Sequence, residues 1–370
     1  MSFILWLLRR SLIFFGLALN QASASGLWTE DSSGCSLYNF MDKPNYKVVW
    51  HGKCENGYAE GEGIVDWLKD DISILHEEGT YTKGVMQGYG VIIDHLQKTK
   101  YEGSVVDGIA NGKGIQISAD GVRAEGFFEA GYITNGEVCD PKGVCYKGSL
   151  SKGLFNGQGV MNWPNGDHYQ GDFRSGQRTG VAIMILMNGT RYEGSFIDGI
   201  ASGDGVIKFS DGVSYRGSFA AGQPNGKGIM IWPNGDRYEG DFLAGKRTGK
   251  GVLTFASGDL YEGDFVEGVG TGQCIFSWKD GDRYEGDCLA GEHTGKGIKI
   301  WANGDSYKGD FLHDAPNGKG DYWWHNGNRY VGGFLNGHLH GYGVKTFKNG
   351  QVIKGYFVRG VFTGQSTVWH

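Results

Sequence analysis

In the stretch 238–260, YEGDFLAGKRTGKGVLTFASGDL, apolar and polar residues alternate in two short runs rich in aromatic and branched side chains. A glycine-containing cluster closes each run. Alternation with a period of two predicts strands, and the clusters between them predict tight turns, so the stretch reads as a β-hairpin. The same pattern returns along most of the chain, and no competing helical period accompanies it.

The return is periodic at 23 residues. Tyr169, Tyr192, Tyr215, Tyr238, Tyr261, Tyr284, Tyr307 and Tyr330 are equally spaced, and the series runs back to Tyr146 and on to Ile353. With this residue as position zero, the unit is Y-x-G-x-F-x-x-G-x-x-x-G-x-G, an apolar segment, and a glycine at +20. Looser units led by Trp50, Glu77, Tyr101 and Ala124 bring the number to fourteen. Of the 67 glycines in 370 residues, 60 fall in the five slots +2, +7, +11, +13 and +20, and Gly143 fills the turn slot one residue early. A glycine excess without collagen's three-residue period, beside 14% aromatic residues, excludes both collagen and a disordered linker. One repeated supersecondary unit explains the composition.

Placing the +20 glycine at the centre of the hairpin sets +17 opposite the next lead Tyr, +15 opposite the next +2 Gly, and +13 opposite the next +4 Phe. In this register Trp163, Trp232, Trp278 and Trp301 pair with tyrosines, large +15 residues lie over glycine, and Phe173, Phe219, Phe242 and Phe265 cover +13 glycines, while Phe196 faces Ala182 in that slot. Two departures from the code, Cys274 at +13 and Cys288 at the next +4, fall opposite each other and read as a cross-strand disulfide. Two small buried thiols are the alternative.

Hairpins following one another form a meander. The expected fold class is all-β, an elongated single-layer array of antiparallel β-hairpins, and fourteen units at ~4.8 Å per strand would extend on the order of 130 Å. Residues 25–49 are expected to cap the array, 50–145 to form degenerate repeats and 146–370 regular ones, with no separate catalytic domain.

The phrase YEGDF followed by G-x-x-x-G-x-G at this period resembles the MORN (membrane occupation and recognition nexus) repeat family over residues 50–370. The resemblance implies an array of hairpins that acts in scaffolding, self-association, protein contact or membrane-adjacent attachment. Where MORN arrays accompany an enzyme, the catalytic part is a separate domain, so no activity, cofactor or metal is carried over.

The N-terminus departs from the usual intracellular member. In MSFILWLLRRSLIFFGLALNQASA, Arg9 and Arg10 precede the apolar run Leu12–Leu19, and Ala22-Ser23-Ala24 is an A-x-A site for cleavage between Ala24 and Ser25. Residues 1–24 therefore read as a signal peptide and the protein as exported; an uncleaved anchor would have to bury both arginines. The six cysteines agree with export. Cys139 and Cys145 flank an Asp-Pro-Lys-Gly turn, Cys274 and Cys288 pair by register, and Cys35 and Cys54 remain, although six cysteines permit fifteen connectivities.

Candidate chemistry is sparse. The NGKG and TGKG strings, as at Asn225–Gly228 and Thr248–Gly251, lack the glycine spacing, the Ser or Thr and the helix of a phosphate loop. Aspartates at +21 and +3, such as Asp236/Asp241 and Asp282/Asp287, form an acidic ladder able to hold Ca²⁺; turn-side Asx bonding explains them as well, and the Ca²⁺ loop signature is missing. His338 and His340 lack a third ligand. With 35 basic and 41 acidic residues there is no footprint for nucleic acid or for electrostatic binding to anionic lipid. An apolar stripe at +14, from Val160 and Ile183 to Ile298 and Val344, is either covered by loops or free for association. The expected function is a non-catalytic exported scaffold for protein contact, self-association or envelope attachment. The alternative is a cell-wall or glycan-binding module using exposed aromatic faces, and the two differ in whether the four +17 tryptophans are buried.

Overall fold

The computed structural model describes residues 27–39 and 46–364. The segment read as a signal peptide, with its expected cleavage site at Ala24 and Ser25, lies outside the described residues. The chain divides into two compact units, residues 1–200 and 201–370. In both, all regular structure among the described residues is β-strand, and successive strands pair antiparallel in chain order.

The first unit opens with the hairpin Leu27–Glu30 and Ser36–Asn39, joined to the repeats where Ser36 pairs with Tyr58. A meander follows from Lys47–Glu55 to Arg191–Ile197. The second unit continues the same grammar to Val361–Gly364.

Each repeat is one hairpin. In the repeat led by Tyr238, strands Arg237–Leu243 and Lys246–Thr254 are joined by Ala244 and Gly245, both at positive φ (48° and 79°). Two consecutive residues in that region make the primed turn whose twist suits a hairpin. Every non-glycine residue at +6, from Asn56 to Arg359, adopts this conformation.

The register differs from the one expected by two residues. Gly159 faces Gly171, Met161 faces Tyr169 and Gly157 faces Phe173; Trp163 faces no tyrosine. The turn is the cause. The Trp163 N–H donates to Asp167 O (3.0 Å) and the Gly166 N–H to Trp163 O (2.9 Å), so the +20 glycine, at φ 90°, follows a type I turn as a bulge residue. The centre of the hairpin is therefore Asn165 at +19.

The corrected register turns large-over-small packing into something simpler. The +2 and +13 glycines face one another strand after strand. In the second unit this glycine column runs Gly205, Gly217, Gly228, Gly240, Gly251 and Gly263, is interrupted by Cys274, and resumes at Gly286. The lead tyrosine covers the column: a Cβ added at Gly240 or Gly251 would land on the Tyr238 ring. The +4 phenylalanine does not cover a glycine. It stands edge-on between two tyrosines, Phe265 lying 5.0 Å from Tyr238 and 5.1 Å from Tyr261. Such T-shaped contacts are favourable beyond their buried area. Tyr169, Tyr192, Tyr215, Tyr238 and Tyr261, with Phe173, Phe196, Phe219, Phe242 and Phe265, are all buried in this ladder, and it is the core.

Candidate binding surfaces

The sheet in each unit has an inner face, carrying the Tyr/Phe ladder, and an outer face, carrying the alternate side chains. Adjoining the ladder is the +17 row. Trp163, Trp232, Trp278 and Trp301 are half-buried, which lies between the two states that separate packing from open binding. One face of each ring is occupied by a cation of the chain itself: the Arg178 guanidinium lies 5.7 Å from Trp163, that of Arg247 5.4 Å from Trp232, and the Lys299 ammonium 4.5 Å from Trp278 and 5.4 Å from Trp301. Both arginines also donate to the +7 carbonyl of the next repeat, Arg178 to Gly199 O (2.9 Å) and Arg247 to Gly268 O (2.6 Å). The row thus stitches neighbouring repeats together.

The +21 aspartates have the same use. Asp236 accepts the Ala256 N–H, Asp259 that of Lys279 and Asp282 that of Ala302, each at 2.9 Å, so one turn holds the next. The Lys279 N–H, followed by the Ser257 hydroxyl, lowers the Asp259 carboxyl below its ordinary range. Asp305 also takes the Tyr322 hydroxyl (2.9 Å) and His325 Nδ1 (2.8 Å). Burial raises its carboxyl, but the bonds from His325, Tyr322 and Asn303 outweigh burial and leave it lowered. The +3 aspartates pair with lysines of the NGKG and TGKG strings: Lys227 with Asp241 (2.7 Å), Lys250 with Asp264 (2.8 Å) and Lys296 with Asp310. Those lysines are engaged across the sheet. No group of three His, Cys, Asp or Glu among the described residues could hold a metal ion, and His338 and His340 gain no third ligand.

The structure brings together Cys35 with Cys54, Cys139 with Cys145, and Cys274 with Cys288, at Cα separations of 5.8, 4.1 and 6.0 Å. Cys139 and Cys145 face each other across their turn. Cys274 and Cys288 do not; Cys274 faces Gly286 and Cys288 faces Gly272, so the pair is diagonal. Where Cys288 replaces the bulky phenylalanine, His293 fills the space: it faces Cys288, lies 3.9 Å from the Tyr284 ring and sets Nδ1 3.0 Å from Asp314. Burial lowers the His293 imidazole below its ordinary value despite Asp314. Asp314 is the one non-glycine at +7 from residue 57 onward, and its carboxylate accepts the His293 N–H at 2.8 Å. Three departures from the code, Cys274, Cys288 and Asp314, together with His293 at the variable +9 position form one compensated site.

The outer face of the middle repeats is charged, with Arg191–Glu193 and Arg283–Glu285 pairs at 2.8 Å flanking the Lys–Asp pairs. The +14 stripe runs between them. Val252 lies between Glu239 and Glu262, and most of the stripe is half-buried, with Val206 and Ile298 exposed. A different exposed row stands at +5: Leu243, Val266, Leu289, Leu312, Leu335 and Val358. Its sequence signal is an aliphatic residue two places before these +7 slots, and alternation from the buried +4 residue puts it on the outer face; the bulge lies on the partner strand. Gly240 faces Gly251 but Asp241 faces Thr248, so the strand shifts at Gly249, which is at positive φ.

The family model of the MORN repeat matches residues 78–94, 101–123 and nine consecutive segments from 146 to 352. No curated protein matches the chain. Among solved structures it is similar to the TCP10 domain of Danio rerio CPAP in complex with a STIL peptide, at 11% identity and TM-score 0.34, covering 66% of this chain and 98% of that one. It is also similar to the TCP domain of Drosophila melanogaster SAS-4 in complex with a proline-rich motif of Ana2, at 13% identity and TM-score 0.26, covering 49% and 90%. The matched segments contain the tyrosines, phenylalanines and glycines that build the ladder, and the chain belongs to the MORN repeat family.

Proposed function

We propose that this protein is an exported, non-catalytic scaffold that works through contact with a protein partner or with a second copy of itself. The observation that carries the reading is one-sidedness. The inner face is filled by its own ladder, whereas every exposed large apolar side chain from 201 to 358 lies on the outer face. Apolar side chains repeated along one face, between charged ones, support an interaction surface there. Self-repetition supports scaffolding over catalysis, since a catalytic site is singular while these residues recur. The glycan reading draws on the half-exposed +17 tryptophans, but the cations on their faces take the surface that a sugar ring would stack on.

Export draws its support from the N-terminal segment and from cysteines within disulfide reach. The native protein is therefore expected to carry no free thiol and to be six hydrogens lighter by mass spectrometry than its fully reduced form. Full labelling by a thiol reagent without reductant would contradict export into an oxidising compartment. For the scaffold itself, the test is size-exclusion with light scattering on the purified chain, together with affinity capture from a cell-envelope extract. A defined oligomer or a specifically retained protein is expected; a strict monomer that retains nothing would overturn the reading.

A further inference from the structure

The +17 row changes character within the second unit. Trp163 and Trp232 each carry an arginine from +9 of the next repeat, Arg178 and Arg247. At the corresponding +9 places for Trp301 and Trp324 stand Pro316 and Leu339, which have no charge. Position +15, Met161 and Met230 in the earlier repeats, becomes Lys299, Tyr322 and Lys345. Trp278, Trp301 and Trp324 follow one another at one-repeat spacing, all half-buried. The new +15 side chains stand between them: Lys299 lies 4.5 Å from Trp278 and 5.4 Å from Trp301, and Tyr322 lies 5.3 Å from Trp301 and 4.7 Å from Trp324. Trp50 and Trp67 give their indole N–H to Lys53 O (3.1 Å) and to Glu77 (3.2 Å). Among the described residues, the indole N–H groups of Trp278, Trp301 and Trp324 donate to no group of the chain. Lys299 has Asp282 at 3.6 Å, whereas Lys345, 4.7 Å from Trp324, has no carboxylate partner among the described residues.

We propose that this row binds a proline-rich segment of a partner protein in the polyproline II conformation, with an acidic residue at the end that meets Lys345. The inference deepens the scaffold reading by naming one partner's chemistry, on a surface separate from the outer face. Pitch selects the conformation. A polyproline II helix advances ~9.3 Å in each three-residue turn and two strands of the array span ~9.6 Å, so over the two intervals from Trp278 to Trp324 the mismatch is only ~0.6 Å. An extended strand sets side chains of one face ~6.8 Å apart and loses register at the first interval. The chemistry agrees with the pitch. A polyproline II backbone makes no hydrogen bonds of its own, so its carbonyls are open to the three indole N–H groups. Its prolines fit between aromatic rings, as in grooves that recognise such segments. A sugar would need the ring faces that Lys299 and Tyr322 already occupy. Lys345 leaves one uncompensated charge at one end of the row, and a single charge at one end fixes the direction of the segment.

The test uses the full chain and a synthetic peptide of nine prolines followed by two glutamates, with a glycine-serine peptide bearing the same glutamates as control. Calorimetric titration is expected to show binding of the proline peptide alone, and the indole N–H resonances of Trp278, Trp301 and Trp324 are expected to shift. Trp301→Phe keeps a ring and removes the donor, and should weaken binding by ~2–10-fold. Trp301→Ala should weaken it by at least ~30-fold, while Trp163→Phe, in the row that Arg178 covers, should leave it unchanged. Lys345→Gln should bind the peptide with and without its glutamates equally well. Equal binding of the glycine-serine peptide, or full binding by Trp301→Ala, would overturn the row as the site. A wild type that ignores the proline peptide but retains a protein from the extract would overturn this ligand and leave the scaffold; one that is monomeric and retains nothing would overturn both.

Discussion

Tyr238→Ala is expected to destabilise its repeat and the two neighbouring ones by ~3–5 kcal/mol, the usual cost of emptying a buried aromatic site. The ring is fully buried, lies over Gly240 and Gly251, and meets Phe242 at 5.2 Å and Phe265 at 5.0 Å, so its loss opens a void against three strands. Tyr238→Phe keeps the packing and loses only what the hydroxyl donates, shared between Asp241 O (3.2 Å) and Thr248 O (3.5 Å), a cost of ~0.5–1.5 kcal/mol. In a quasi-one-dimensional array the loss stays local. Hydrogen exchange should therefore accelerate in residues 226–265 for the Ala variant, hardly change for the Phe variant, and stay unchanged near Tyr330. Equal acceleration by both variants would mean that the hydroxyl, and not the ring over the glycine column, holds the hairpins together.

The second large effect belongs to Glu77, which takes the tyrosine slot in a degenerate repeat. Its carboxyl is buried; Oε2 accepts the Trp67 indole N–H (3.2 Å) and the Tyr81 hydroxyl (3.0 Å), and Oε1 has no partner among the described residues. Burial raises its pKa from 4.5 to about 7, against the lowering bonds from Trp67 and Tyr81. A folded-state value above the unfolded one means the native state holds the proton more tightly. The stabilisation is full below about pH 4.5 and is lost as pH rises through about 7, to the extent of ~3 kcal/mol. Glu77→Gln keeps an acceptor for both donors and removes the titration. The difference in exchange protection of residues 58–82 between the Glu77→Gln variant and the wild type should thus be small at pH 5 and should favour the variant by ~2–3 kcal/mol at pH 8. A pH-independent difference would show that the carboxyl does not change its proton across that range.

The repeat, the family and the all-β architecture were legible because the code is written many times over, and a pattern recurring at Tyr169, Tyr192 and onward averages out local exceptions. The register was not, because one glycine, Gly166, can serve either as the centre of a two-residue turn or as the bulge after a type I turn. Only the hydrogen bonds from the Trp163 N–H to Asp167 O and from the Gly166 N–H to Trp163 O distinguish the two. The same error of two residues put the +17 tryptophans against tyrosines, when they meet the arginines and lysines of neighbouring repeats. The exposed residues of the outer face near the end of the array escaped for the opposite reason. Reading for what recurs directs attention to the +14 stripe, whereas Val331, Tyr342, Val352 and Tyr356 are informative as breaks in the pattern. Cys274, Cys288 and Asp314, with His293 beside them, show the same principle, since departures that compensate one another are visible as a site only once the strands are paired.

Side-chain oxidation by hydroxyl radicals, read residue by residue across a dilution series, tests the one-sided array most directly. Tyr307 and Tyr330, sealed in the ladder, should resist oxidation at every concentration, while Trp323, Tyr342 and Tyr356, exposed on the outer face, should react in dilute samples. If Tyr307 and Tyr330 oxidise as readily as Tyr342, the inner face is not the core; if Tyr342 and Tyr356 resist oxidation as Tyr307 does at all dilutions, the outer face is not the open one.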